Sequence, residues 1–334
     1  MKNVVLTSDL HLTSNPRDEY RWEVFPWLAE QCKAKQARHL FILGDLCDAK
    51  DNHPSVLVNG VVQALLGLAE AGNLLEIVIL RGNHDGLDPE WPYFRFLSEL
   101  PFIRFIHEPT LLYLNKGVLL VPHSKDTSGW RELAKRSGVD TVLVHATVTG
   151  SKSESDVELQ GVHEDVFGPT IKKVWAGDIH VPQSIGRWEY VGAPYPIRFG
   201  DKFRPRVLWI DGKGKSYPLH FPTISRRMLD LTPPLKFHKV APGDQVKVRV
   251  QLSRSEFGTW HGLKKEIEAW AKSVDVDLVA MELKLPTAVG PLLSAKEVAQ
   301  HKSPVDLLKD FSAHSKLDAE TAKIGASILK ELPK

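Results

Sequence analysis

The sequence predicts an α/β fold, and three observations carry that reading. Short apolar runs recur along the first half of the chain: NVVLTS (3–8), HLFILG (39–44), LLEIVILRG (74–82), DTVLVH (140–145) and KVWAGD (173–178), each closing on polar residues. Runs of this length suit strands buried on both faces. Segments with helix signals lie between them. Residues 54–72 open at Pro54 and stop at Gly72, and 128–138 run from Ser128 to Gly138, the placing of proline and glycine that helix ends favour. After 185 the texture changes, because WEYVG, PRVLWIDG and KSYPLHFP are short strand candidates parted by glycine and proline, which reads as an antiparallel meander.

LTPPLK (231–236) reads as a linker, because adjacent prolines neither continue a helix nor sit inside a sheet. A small second domain is expected to follow. It reads as a strand (246–252), an amphipathic helix with Trp260, Leu263, Ile267, Trp270 and Val274 on one face, and a strand (277–285). That spacing makes the face a packed one rather than a platform for bases. The tail from 287 is polar and helical, with Ser303-Pro304 and Asp318 as start signals. The expected division is 1–232, 233–286 and 287–334.

The balance of 43 Lys+Arg against 41 Asp+Glu leaves a formal charge of +2, so a polyanionic partner must be held by a local patch. Two cysteines, Cys32 and Cys47, make no disulfide framework. The opening apolar run is too short for a secretory signal, and no stretch approaches the roughly 18 apolar residues of a membrane helix. A cytoplasmic protein is expected.

The polar residues closing the strand candidates are of one chemical kind. They are Asp9 and His11 (SDLH), Asp45 and Asp48 (GDLCD), Asn83, His84 and Asp85 (GNHD), His145 (VHAT), and Asp178 and His180 (GDIH). Ligands of open α/β folds gather at the carboxyl ends of strands, and residues i and i+2 on a strand point to one side. Oxygen and imidazole donors without thiolates suit Mn²⁺, Fe²⁺ or Mg²⁺ better than a structural zinc. One Asp-x-His pair is a weak signal and GNHD alone could be a turn. Five such segments in order point to a dinuclear metal site.

The order D-x-H, G-D-x-x-D, G-N-H-D, H, G-x-x-H over about residues 4–180 resembles the calcineurin-like metallophosphoesterase superfamily, and within it the SbcD-type nuclease subunits of double-strand-break repair. YVGAPYPIRFGD (190–201), the small strand–helix–strand module and SPVDLLKDFSAHSKLD (303–318) resemble that branch. The resemblance implies an α/β/β/α sandwich with a small α+β capping domain and a helical C-terminal tail. It places one metal on Asp9, His11, Asp45 and His180, and the other on Asp45, Asn83, His145 and residue 178. His84 would contact the phosphate or protonate the leaving oxygen, with Asp85 orienting it and Asp48 supporting the site. Two divalent cations, Mn²⁺ first, with Mg²⁺ or Fe²⁺ as alternatives, would activate water and clamp phosphate oxygens. The family usually has histidine where this chain has Asp178, which adds a negative charge and favours hard metals.

The same resemblance implies a 3′→5′ exonuclease on duplex DNA and a single-strand endonuclease. It would work beside DNA with an SbcC-type coiled-coil ATPase docked through the tail, in repair, recombination or replication, with a homodimer open. The alternatives are a phosphodiesterase or phosphatase acting on small molecules or proteins, and a non-catalytic scaffold. Arg198, Lys202, Arg204 and Arg206, interleaved with Phe199 and Phe203, suit a DNA backbone track or a solvated strand edge. His53, His123 and His163 fall outside the motif order and read as surface or core-edge histidines.

Overall fold

The computed structural model describes residues 1–114, 117–284 and 304–314, together with Glu320, Thr321, Lys323 and Gly325. Much of the expected 287–334 tail, including Ser303 and Asp318, lies outside the described residues; within it a helix spans Pro304–His314. The chain divides into two compact units that interleave in sequence. Met1–Leu229, His238–Val248 and Glu268–Ala280 form the larger; Asp230–Phe237, Arg249–Ile267 and the described residues from Met281 onward form the smaller.

In the larger unit, β1 (Val4–Thr7), β2 (His39–Ile42), β3 (Glu76–Leu80) and β4 (Ile103–Ile106) pair in parallel. A second sheet holds β5 (Thr110–Tyr113), β6 (Gly117–Val121), β7 (Thr141–His145) and β8 (Lys173–Gly177), with β6, β7 and β8 parallel. Alternation along β1 shows how the layers form. Val4 and Leu6 pack with Phe41, Leu43, Val78 and Leu80 against Val118, Leu120, Leu143 and Trp175 of the facing sheet, while Val5 joins a different core.

That other core is covered by α1 (Val24–Ala34) and α2 (Ser55–Ala71), which bury Val24, Leu28 and Cys32 and Leu57, Val61, Leu65 and Leu68 at helical spacing. The outer face of the second sheet is covered by α3 (Trp130–Ser137) through Trp130 and Ala134. Helix, sheet, sheet and helix layers result, the expected sandwich. Each fully buried Leu or Val side chain adds about 1.5–3 kcal/mol over its exposed state, so three such cores fix the relative positions of the strand ends.

The five apolar runs are strands and the two helix segments are α2 and α3. The sequence reading did not mark α1, β4, β5 and β6 as elements. The segment after 185 is not one meander: β9 (Gln183–Ile185) and β10 (Trp188–Tyr190) form a hairpin, and β10 lies parallel to β8. β11 (Val207–Ile210) and β12 (Ser216–Leu219) pair antiparallel and extend the first sheet through β1. Buried Val191, Ala193 and Tyr195 carry the chain from one sheet to the other, which strand spacing alone does not reveal. The third sheet has the order β13-β14-β15, over Arg226–Leu231, Gln245–Gln251 and Asp277–Lys284. The helix expected beside it is α4 (Trp260–Ser273), with Ile267 and Ala271 buried. No helix among the described residues is long and apolar enough to cross a membrane.

The strand ends meet so closely that Gly44, at φ +98°, has the His145 imidazole where a Cβ would stand. Gly44→Ala is expected to cost about 3 kcal/mol, combining backbone strain with overpacking. Chemical denaturation would read it; a loss under about 1 kcal/mol, the ordinary scale for a point substitution, would show that the loops yield.

Candidate metal centre

The site forms where the carboxyl ends of β1, β2 and β3 meet those of β7 and β8. Asp9 and His11 follow β1, Asp45 and Asp48 follow β2, Asn83 to Asp85 follow β3, His145 ends β7, and Asp178 and His180 follow β8. Main-chain bonds tie the first two loops together: Asp9 N donates to Gly44 O at 3.0 Å and His11 N to Asp45 O at 2.9 Å. Four of these residues hold left-handed backbones, Asp9 at φ 55°, His11 at 43°, Asp45 at 54° and Asp178 at 86°. Such conformations cost on the order of 1–3 kcal/mol each and persist only where the surroundings enforce them.

Asp45 stands between two histidine groups. Its Oδ2 is 3.5 Å from His11 Nε2 and its Oδ1 is 3.5 Å from His145 Nε2. Three trios bring one donor atom from each member within 4.8 Å of one another: Asp9, His11 and His180; His11, Asp45 and His84; and Asp9, Asp45 and His145. Asp9 and Asp45 each belong to two of them, so the trios overlap in one continuous cluster.

The hydrogens on the rings show that the cluster suits cations. His145 Nδ1 donates to Leu43 O at 2.6 Å and His84 Nδ1 to Asp48 O at 2.5 Å. His11 Nδ1 faces Asp48 Oδ1 at 3.2 Å, and His180 Nδ1 faces Glu154 Oε1 at 2.5 Å. Carbonyls take the Nδ1 hydrogens of His145 and His84, and a carboxylate oxygen lies beside Nδ1 of His11 and of His180; a neutral ring so placed turns its Nε2 lone pair inward. His11 Nε2 and His180 Nε2 then oppose each other at 3.1 Å, and buried Asp9 Oδ2 has no hydrogen-bond partner. The inward end of the Asn83 amide lies 3.0 Å from His145 Nε2 and 3.1 Å from each Asp45 oxygen. An amino group there makes hydrogen bonds, whereas a carbonyl oxygen needs a cation among these acceptors. Oxygen and imidazole donors without thiolate fit a hard or borderline divalent ion.

Charge follows the same pattern. Burial alone would lower the His145 pKa, yet the carboxylates of Asp45, Asp178 and Asp9 push it up to about 9. Burial raises Asp9. Burial also acts upward on Asp45, but His145, His11 and His84 outweigh it and hold the carboxyl low. Positive charge is what the cluster lacks, and a bound cation would supply it.

Asp178 sits at the margin. Its Oδ2 accepts from the Thr147 hydroxyl, its Oδ1 lies 3.6 Å from His145 Nε2, and its amide donates to Asp9 Oδ1 at 3.2 Å. One carboxylate oxygen remains to face the centre. Asp85 takes a different place from the one expected: buried, it accepts from Gly82 N at 2.7 Å, Asp45 N at 2.9 Å and Leu46 N at 2.9 Å. It joins two loops, and the main chain of Asp48 orients His84 instead. The reason is that two facing glycine-led turns leave amides that only a carboxylate between them can satisfy.

Two neighbours escaped the sequence reading. Glu154, in a polar loop without a motif, touches His180, and that hydrogen bond holds its carboxyl down at about 2. His123, read as a core-edge histidine, places its ring centroid 6.0 Å from that of His145. Burial first and the His145 charge second lower its pKa to about 4. His53 packs edge-on against Tyr93 and tilted against Phe94, and His163 accepts from the Asp165 amide, so neither contact involves the cluster. Arg198, Lys202 and Arg204 are exposed, while Arg206 is anchored to Glu189 and to the carbonyls of Tyr190 and Val191.

A model of the calcineurin-like phosphoesterase family matches residues 2–182, and the chain belongs to that family of metal-dependent hydrolases acting on phosphoesters. No curated protein matches the chain. Among solved structures, the Pseudomonas putida nuclease MPE is 17% identical, with a TM-score of 0.30, over 65% of this chain and 88% of that one. A likeness that slight says nothing of what this chain acts on.

Two measurements check this site. Asp85→Asn turns one acceptor oxygen into an amino group facing buried N–H donors, so a loss of about 2–3 kcal/mol is expected in denaturant unfolding; an unchanged midpoint would exclude the clamp. In the chelated protein, a histidine with a depressed folded pKa binds fewer protons than the unfolded chain between about pH 6.5 and 4. His123 therefore contributes a loss of stability as pH drops through that window, and His123→Gln, compared with the unsubstituted chain, should remove that contribution.

Proposed function

We propose that this phosphoesterase is a DNA nuclease requiring two divalent cations, Mn²⁺ foremost, with 3′→5′ exonuclease action on duplex ends and endonuclease action on single strands. The observation that carries the substrate is where the exposed basic run begins: Arg198 lies close enough to Glu154, the partner of His180, to help keep that carboxylate ionised. Lys202 and Arg204, close in sequence, are exposed as well, and exposed cations are what a strand held by its phosphates requires. Phe199 lies under Lys247 at 4.6 Å, which adds a cation beside the run, while Arg226 at 4.4 Å is paired with Asp18.

Asp9, His11, Asp45 and His180 would hold one ion, and Asp45, Asn83, His145 and Asp178 the other, Asp45 serving both through its opposed oxygens. Ions held there would supply a lowered pKa for bound water and neutralisation of charge on the phosphate. The chain's own groups do the rest. His84, its Nδ1 hydrogen held by the Asp48 carbonyl, would in its imidazolium form pass the Nε2 hydrogen to the leaving 3′ oxygen, a poor leaving group until protonated, and be left as the neutral ring. The left-handed turns at Asp9, His11 and Asp45 hold the donors in place before substrate arrives, so little reorganisation accompanies reaction. The same reading assigns the 287–334 segment to an SbcC-type ATPase partner and 233–286 to a cap over DNA; it rests on the sequence resemblance.

The purified chain with Mn²⁺ should degrade end-labelled duplex and single-stranded DNA and lose that activity to a chelator. Turnover of an aryl phosphodiester alone would overturn the nuclease reading. His84→Ala is expected to lower kcat by about 10²–10⁴-fold while Mn²⁺ binding is retained. Arg198→Ala with Arg204→Ala should weaken DNA binding and reduce its salt dependence by about two counterions.

A further inference from the structure

Glu154 lies between β7 and β8, in a loop that the metal-ligand motifs skip. Its carboxylate meets His180 at 2.5 Å, and both side chains are largely covered, at 15% and 9% exposure. The loop is built to deliver it. Gln183, on β9, accepts from Lys152 N and donates to Lys152 O, each at 2.8 Å, so an amide side chain pairs with the backbone two residues before Glu154. Buried Tyr190 fixes the loop's root, its hydroxyl accepting from Val148 N at 2.7 Å and donating to Ala146 O at 2.9 Å. Val148 bridges Val162, and Lys152 bridges Glu158. Ser153 N bonds to Val157 O at 2.9 Å and Asp156 N to Ser153 O at 3.0 Å, closing the turn that carries Glu154.

A surface ion pair would need none of this, because exposed pairs contribute roughly 0–1 kcal/mol and tolerate loose geometry. An imidazole has two alternative hydrogen positions, and only one leaves Nε2 free. We propose that Glu154 is the positioning residue for His180: its carboxylate takes the Nδ1 hydrogen and aims the Nε2 lone pair at the point His11 Nε2 also faces. This inference rests on the reading of His180 as a metal ligand. Acceptors behind ligating histidines raise their basicity and fix their rings, and losing one weakens metal binding by about 10–100-fold.

The test is titration of the metal-free full chain with Mn²⁺, free ion being followed by electron paramagnetic resonance. Glu154→Ala should weaken one of two ions by about 10–100-fold and leave the other unchanged. Glu154→Gln, whose carbonyl oxygen accepts the same hydrogen, should recover part of the loss. Unaltered binding of both ions in Glu154→Ala, with one ion lost in His180→Ala, overturns the positioning role. Both ions retained in His180→Ala overturns the ligand reading instead. Should Glu154→Ala not fold, nitrogen NMR of the wild-type chain loaded with Mg²⁺ decides: a hydrogen on His180 Nδ1 supports the proposal, and a bare Nδ1 rejects it.

Discussion

The carboxylate of Asp85 has no exposed surface and accepts three main-chain amides, from Gly82 at the end of β3 and from Asp45 and Leu46 after β2. A buried ion of this kind is tolerable only when its oxygens are satisfied, and buried amides are tolerable only when theirs are. Each requirement answers the other. With those loops joined, His84 N donates to Asp45 Oδ1 at 2.9 Å, and Asp45 is held with one oxygen toward each histidine group. The β1 loop depends in turn on the β2 loop, through the bonds of Asp9 and His11 to Gly44 and Asp45. Strain in the left-handed residues is thereby offset by main-chain bonds, which leave Asp9 Oδ2 without a hydrogen-bond partner and the Nε2 atoms of His11 and His180 facing each other.

The protonation of the imidazoles decides what the cluster can hold. A cluster of carboxylates with ionised imidazoles would be a salt-bridge network, and the raised pKa of His145 shows the metal-free protein drawn that way. The Nδ1 partners prepare the other state. Main-chain carbonyls hold His145 and His84, and carboxylates hold His11 and His180. Carbonyl partners fix a tautomer without adding charge; carboxylates also strengthen the donor. The two histidines that oppose each other at 3.1 Å are the two with ionised partners.

The apolar layers place these groups without touching them. Alternating side chains of β1 enter separate cores, so a one-residue slip would reverse both faces at once. The register of β1, β2 and β3 is therefore pinned by packing, and the loops beyond them inherit their positions. Close approach completes the arrangement: an added Cβ at Gly82 would overlap the Asp45 carboxylate, as one at Gly44 would overlap His145. Small residues before the ligands let three loops occupy a space that larger ones would fill.

Periodicity in the sequence was enough to show strands at β1, β2, β3, β7 and β8 and helices at α2 and α3, because long apolar runs and capped amphipathic segments have local causes. The order of donor residues pointed to a cluster that could hold metal ions, since each motif is contiguous and chemically distinctive. Short elements such as β4 and β5 carry too few residues for a period to stand out, and the split of β9–β12 between two sheets depends on where distant strands already lie. The clamp by Asp85, the nearness of His123 and the contact of Glu154 with His180 were decided by tertiary structure alone. Each joins residues across loops whose spacing in sequence follows no rule, and only packing of the two sheets sets how far apart their ends stand.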